Sequence, residues 1–393
     1  MNISRIDDFI IRQEGLEKAD RQSIEKMQLE KLNRQLEREK MRSGFYKDLP
    51  ERMDSLEELP LLPFTTDEDL ARNAAGLLLC SQSEILRVLS DATSGTTGAA
   101  KRVFYTEGDL ENTVRLFAAG LGELIFPECV TMICMPFSHA YGLGELIIKA
   151  VAALGAKPLN VGVGKSFGKL ADIIRREKPD TFVGMPVQLL SMLRFCGAGS
   201  LKRALVSGDS CPENVMSECE RLLGTHLYPH YGSREMALGG AICCPAHEGM
   251  HLRENHVIAE IIGKDGKTLP RGEYGELVIT TIGMEAMPLF RYRTGDYTRI
   301  LPEKCPCGSV VTRIGSISRK ETAQMAETDN ILFSLPGLID YSLSADGKLF
   351  ALTDGSVPEK EIASLLGFEA DIHCRRARAS DKPLYIGKRN LTL

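Results

Sequence analysis

Between residues 105 and 212 apolar and polar positions follow two distinct rhythms. Helical spacing predicts helices over 107–124, 142–154, 170–177 and 187–195, and between them lie short apolar runs over 130–135, 157–161, 181–184 and 203–207. Such runs, bounded by helices, read as parallel strands buried on both faces, with the helices covering the sheet. Ligands in sheets of this kind sit beyond the carboxyl ends of the strands. The segments leaving those ends are 135–142, 184–186 and 207–210, which makes Tyr141, Gly184, Ser207, Gly208 and Asp209 candidate binding residues.

Upstream, 3–45 carries helical spacing with dense alternating charge. Ile24, Met27, Leu32 and Leu36 share one apolar stripe, while Glu25, Lys26, Glu30, Lys31, Arg34 and Glu37 lie on the opposite side. The expectation is a solvated amphipathic helix, or a contact between two copies of the chain in a homodimer. Prolines at 60 and 63 stop that pattern, and acidic residues at 67–69 mark a new helix start. Two short strands, 85–89 and 103–105, then enclose a loop. A further strand is expected over 225–228, and from 258 onward β-type segments, including 259–262 and 276–281, are joined by Gly and Pro turns.

Composition adds bounds. A chain of 393 residues suggests two or three domains. Its net charge of −5 gives no reason to expect nucleic acid or an anionic membrane as partner. There is no apolar run of about 18 residues and no charged-then-apolar leader, so the chain reads as unexported and cytoplasmic. Eleven scattered cysteines then argue for reduced thiols and a metal site rather than a disulfide framework.

The loop between the two short strands holds the first candidate chemistry. Thr93, Ser94, Gly95, Thr96, Thr97 and Gly98 are followed by Lys101. Glycines allow backbone N–H groups to turn inward, hydroxyls add donors and the lysine adds positive charge, a combination suited to phosphate oxygens. It is not a Walker A loop, because Gly98 is followed by Ala-Ala-Lys and β-type residues rather than by Lys-Ser/Thr and a helix. An ordinary Gly- and Thr-rich hairpin has the same composition, so both readings stay open on this stretch alone.

The segment from Thr93 to Lys101 resembles the phosphate loop of the adenylate-forming superfamily of acyl- and aryl-CoA synthetases, and later segments resemble its phenylacetate-CoA ligase branch. Tyr231, Gly232, Ser233, Arg234 and Glu235 resemble its Tyr-Gly-x-Thr-Glu motif, with arginine where threonine is usual. The resemblance implies Tyr231 against adenine, Ser233 near phosphate and Glu235 on Mg2+. Asp296, closing an Arg-Thr-Gly-Asp run, is implied to bind the ribose hydroxyls, for which a carboxylate's paired acceptors are suited. Arg319 and Lys320 with Glu321 fall at the family's hinge, Arg319 being a nucleotide contact. Lys388, in a terminal Gly-Lys, resembles the mobile lysine that neutralises charge during adenylation. His139, with Tyr141, Gly184, Ala237 and Gly239, would wall the acid pocket.

Cys244, His247, His251, Cys305 and Cys307 resemble the cysteine segments of that branch. Three thiolates and one imidazole, from His247 or His251, would make a closed structural zinc site, and buried unligated thiols are the alternative. The fold implied is α/β, with a large N-terminal adenylate-forming domain over 1–317 whose parallel sheets are flanked by helices. A β-rich subdomain lies within it at about 256–312, and a small, short, mobile α+β C-terminal lid spans 318–393. The activity implied is ATP-dependent conversion of a small carboxylic acid, aryl or branched, to its acyl-adenylate, followed by transfer to coenzyme A. Two alternatives differ in kind: transfer to a non-CoA acceptor, or a degenerate nucleotide-binding scaffold, which Arg234 and the short lid favour.

Overall fold

A computed structural model describes residues 4–42, 44–91, 101–137, 141–319, 322–385 and 389. The chain forms two compact units, Met1–Glu123 with Tyr231–Ile317, and Leu124–His230 with Ser318–Leu393.

In the first unit α1 (Arg5–Glu14) begins at Ser4, whose hydroxyl takes the Asp7 N–H at 3.2 Å, and ends where Gly15 turns left-handed. Helix α2 (Arg21–Arg42) buries Ile24, Met27, Leu32 and Leu36. The charged face is exposed at Glu25, Lys26, Glu30, Arg34 and Glu37 as expected, but the helix is not a merely solvated one, because its stripe is packed inside the unit. The buried face also includes Gln28 and Gln35, whose amides donate to the Glu254 and Met284 carbonyls at 3.0 and 2.8 Å. Polar side chains that satisfy buried carbonyls look like solvated positions in a hydropathy pattern.

Helix α3 (Asp67–Asn73) is closed by a capping box of Thr66 and Asp69. Strands β1 (Arg87–Asp91) and β2 (Lys101–Tyr105) pair antiparallel, and Thr106 caps α4 (Glu107–Leu121). The β-rich part has two sets of antiparallel strands. Gly275–Thr281 pairs antiparallel with both Val257–Ile262 and Tyr292–Thr298, and Met250–Leu252 pairs antiparallel with both Ala241–Cys243 and Arg313–Ile314.

The second unit holds a parallel sheet in the order Lys157–Asn160, Val130–Cys134, Thr181–Gly184, Arg203–Val206, Tyr228–Tyr231. The last strand lies three residues beyond its expected start. Residues 224–227 instead finish the helix Glu213–Leu223: the Gly224 and Thr225 amides donate to the Glu220 carbonyl, and the Leu227 amide donates to its carboxylate at 2.9 Å. Ser318–Leu393 adds the helix Ala323–Leu332 and a sheet of Leu338–Leu343, Lys348–Thr353 and Asp371–Arg376. Phe182, Leu190, Leu193 and Val206 form one buried cluster with Leu332, Tyr341, Leu349 and Leu352, so 318–393 and 124–230 share a core. Among the described residues no helix is long and apolar enough to cross a membrane.

Candidate active site

The first residue of β2, Lys101, meets Glu235 in a short 3-10 turn, Arg234–Met236, with Lys101 Nζ 2.7 Å from Glu235 Oε1. The turn is held from two sides. The Tyr105 hydroxyl donates to the Arg234 carbonyl at 2.7 Å, and the Thr113 hydroxyl donates to the Ala237 carbonyl at 2.8 Å. Ala237 and Leu238 have φ of 53° and 66°, which reverses the chain at once. Gly232 permits the close return, since a Cβ there would lie 2.2 Å from the Leu238 carbonyl oxygen. Glu235 is 5% exposed. Burial works against its charge, but the Lys101 ammonium outweighs it and holds the carboxyl below its ordinary pKa. Burial likewise disfavours the ammonium, and Glu235 and Asp67 together hold it above its usual value.

Tyr231, at the end of its strand, donates its hydroxyl to Asp296 Oδ2 at 2.7 Å. Two residues of separate motifs are thereby joined within the first unit, the carboxylate lying in the strand Tyr292–Thr298. Ser233 precedes the Glu235 turn. Gly239 packs closely under α4, where a Cβ would meet Leu116 Cδ2 at 2.2 Å.

In the second unit the Ser207 amide donates to the Gly184 carbonyl at 2.9 Å, and its hydroxyl lies 2.8 Å from His230 Nδ1. Burial pushes the His230 pKa down to about 4, so the ring is neutral near pH 7. Tyr141 has φ of 63° and its amide donates to Glu145 at 2.9 Å. Arg319 closes the two-residue strand Ser318–Arg319.

Asp209 takes the Arg389 amide N–H on Oδ2 at 2.7 Å. The Arg389 guanidinium is buried between Asp329 and Asp340, at 2.9 and 3.1 Å, and donates to the Tyr341 carbonyl at 3.0 Å. Sequence reasoning missed this anchor, because its partners lie 60 and 49 residues away and carry no motif. Thr93, Ser94, Gly95, Thr96, Thr97, Gly98, His139, Lys320, Glu321 and Lys388 lie outside the described residues.

The cysteine segments converge in the first unit. Cys244 Sγ lies 3.6 Å from Cys305 Sγ, and Cys307 Sγ lies 3.5 Å from His251 Nε2. The four ligand atoms all lie within 4.8 Å of one another. A tetrahedral zinc, with bonds of about 2.0–2.3 Å, separates its ligand atoms by roughly 3.5–3.8 Å, so three thiols and an imidazole so placed fit that ion. His247 lies instead against Cys243, its Nδ1 3.7 Å from that sulfur. None of the eleven cysteines is in a disulfide.

Residues 92–286 match the family described as AMP-binding enzyme. The phenylacetate-coenzyme A ligase of Thermus thermophilus is 30% identical over 372 residues, 89% of this chain and 80% of that one. The Escherichia coli protein of the same name is 32% identical over 64% of this chain and 60% of its own length. Among solved structures, a 2-hydroxyisobutyryl-CoA ligase in the postadenylation state, in complex with R3-HIB-AMP, superposes with a TM-score of 0.74 at 17% identity, covering 94% of this chain and 89% of that one. That likeness shows the fold, and it is the fold of adenylate-forming enzymes. This chain belongs to the AMP-binding enzyme family, in its phenylacetate-CoA ligase branch.

Proposed function

We propose that this chain activates a small aryl or branched carboxylic acid, with Lys101, Glu235, Tyr231 and Asp296 handling the nucleotide. The chain is an ATP-dependent, AMP-forming acid–CoA ligase. Acid and ATP give an acyl-adenylate and pyrophosphate, and coenzyme A then takes the acyl group. In the first step a carboxylate oxygen bonds to the α-phosphorus while the bond to pyrophosphate breaks. No proton is removed, because such an acid is already ionised at pH 7. In the second step the thiol sulfur bonds to the acyl carbon, AMP leaves and the thiol proton passes to solvent.

The physical problem in the first step is bringing two anions together. Lys101 would bind phosphate oxygens, and Asp296, oriented by Tyr231, would take the ribose hydroxyls. A hard cation supplies charge neutralisation on the phosphates, and Glu235 is the group suited to hold Mg2+. Lys388 would add positive charge as pyrophosphate departs. His139, Tyr141, Gly184, Ala237 and Gly239 would wall the acid, with Ser207, Gly208, Asp209 and Arg319 near the nucleotide. Zinc on Cys244, His251, Cys305 and Cys307 would be structural, since four protein ligands leave no open position. Eleven cysteines outside any disulfide suit the reducing cytoplasm.

The observation that carries this reading is the buried Lys101–Glu235 pair at 2.7 Å, formed by residues of two separate motifs. The test is exchange of labelled pyrophosphate into ATP across a library of carboxylic acids. Exchange that needs both magnesium and one class of acid is expected; ATP binding with no exchange for any acid would sink the reading.

A further inference from the structure

The Lys101 ammonium has three N–H donors, and three oxygens surround it: Glu235 Oε1 at 2.7 Å, Asp67 Oδ1 at 3.0 Å and the Tyr292 hydroxyl at 3.1 Å. The Tyr292 hydroxyl itself donates to Asp67 Oδ1. Neither Asp67 nor Tyr292 is among the candidate site residues, although Tyr292 directly precedes the Arg-Thr-Gly-Asp run. Both are placed by the backbone around them. Asp67 is the first residue of α3, directly after its Thr66 cap. Tyr292 is 1% exposed in its strand, and that strand is tied to the segment entering α3: Thr65 bridges Tyr292, and the Arg293 amide donates to the Thr65 carbonyl at 2.9 Å.

The two carboxylates around the ammonium differ in their surroundings. The Glu235 side chain is 6% exposed, whereas that of Asp67 is 60% exposed. A buried carboxylate that gives up its ammonium needs another cation in its place, and an exposed one does not. On the reading of Glu235 as the magnesium-binding group, Glu235 rather than Asp67 is the carboxylate that would need a cation in place of the Lys101 ammonium.

We propose that Asp67 and Tyr292 are positioning residues for Lys101, keeping two of its three donors engaged so that the one released by Glu235 is turned toward phosphate. This rests on the reading of Lys101 as the phosphate-binding group and Glu235 as the magnesium-binding group. The hydroxyl of Tyr292 acts on the ammonium directly and also by orienting Asp67, so the pair works as a unit. Asp67 adds negative charge from a side chain that is 60% exposed, so it steadies the ammonium without a buried charge of its own.

The test is steady-state pyrophosphate exchange with Asp67→Ala, Asp67→Glu, Tyr292→Phe, the double variant Asp67→Ala/Tyr292→Phe, and Lys101→Ala, all as full-length enzyme. Asp67→Ala should lower kcat/KM for MgATP about tenfold, the scale of one charge-assisted hydrogen bond moderated by exposure. The KM for the acid should not change. Asp67→Glu should recover most of the loss. Tyr292→Phe should fall in the same direction, and the double variant should lose less than the product of the two single losses, because the groups are coupled. If Asp67→Ala matches the unaltered enzyme while Lys101→Ala is crippled, the proposal is overturned and the reading of the site survives. Equal losses toward ATP and acid, unrelieved by glutamate, also overturn it, since they mark a merely structural role. An unchanged Lys101→Ala enzyme overturns the reading of the site and this proposal with it.

Discussion

At the residue scale the candidate site is a set of polar side chains that hold one another. Lys101 and Glu235 do so directly, and Tyr231 does so for Asp296 through one hydrogen bond of 2.7 Å. Tyr231→Phe keeps the buried ring and removes only the hydroxyl, leaving the Asp296 carboxylate free to turn. The expected cost is about 1 kcal/mol, or roughly fivefold weaker ATP binding by calorimetry, with acid binding unchanged. An unaltered ATP affinity would mean that the tyrosine orients nothing. The identities of Lys101, Tyr231, Glu235 and Asp296 were legible in the sequence because each sits in a short motif whose order along the chain is informative. Asp67 and Tyr292 were not legible. Their contact with Lys101 spans 34 and 191 residues, and nothing in the local pattern marks either as an ammonium partner.

At the element scale the strands and helices over 130–207 were the easiest to read, because short, mostly apolar runs between amphipathic helices have few other solutions. The strand over 181–184 has the expected bounds. The early end of 107–124 at Leu121 and the displaced strand at Tyr228 reflect local capping that hydropathy does not encode. Helix α2 was misread for a different reason: its buried face carries glutamines and Glu39. Burial pushes the Glu39 pKa up to about 7, against the attraction of Arg38 and Arg42. The folded state therefore binds this proton more tightly than the unfolded chain. Between about pH 4.5 and 7 stability falls as pH rises, because the folded protein holds the extra proton across that window. Glu39→Gln removes the cost of the buried charge. It should leave urea stability nearly unchanged at pH 5 and raise it by on the order of 1 kcal/mol at pH 8.5. A variant destabilised at both pH values would show that the carboxylate is needed as an ion.

At the scale of the whole molecule, long-range fastening decides what is stable and what can move. The segment after Cys307 receives both N-terminal helices: Ser309 donates to Asp7 at 2.9 Å, and Arg21 meets Glu254 at 2.6 Å while Glu254 accepts from Thr312. A metal on Cys244, His251, Cys305 and Cys307 would hold that segment in place. Protein purified without added metal should carry about one zinc per chain. Its removal by chelation should speed amide exchange over 5–42, and His251→Ala should lose the metal while His247→Ala keeps it. Retention by His251→Ala would reject this ligand set. The cysteine spacing named the candidate ligands, but only the fold separates the two histidines, because His251 lies in the strand paired with Arg313–Ile314 and His247 faces Cys243. The C-terminal residues were legible as a small α+β piece. Their shared core with 124–230 and the Arg389 anchor were not, because those contacts join segments far apart in the chain, 49 and 60 residues for the Arg389 guanidinium and 180 for its amide.

The central claim is that this chain makes an acyl-adenylate and passes the acyl group to coenzyme A. The most direct measurement is simultaneous quantification of AMP and thioester by mass spectrometry, with ATP, magnesium, coenzyme A and the acid that best supports pyrophosphate exchange. The account predicts AMP and acyl-CoA in a one-to-one ratio, both absent when the acid is omitted. AMP released without thioester, or no AMP with any acid although ATP binds, would contradict it.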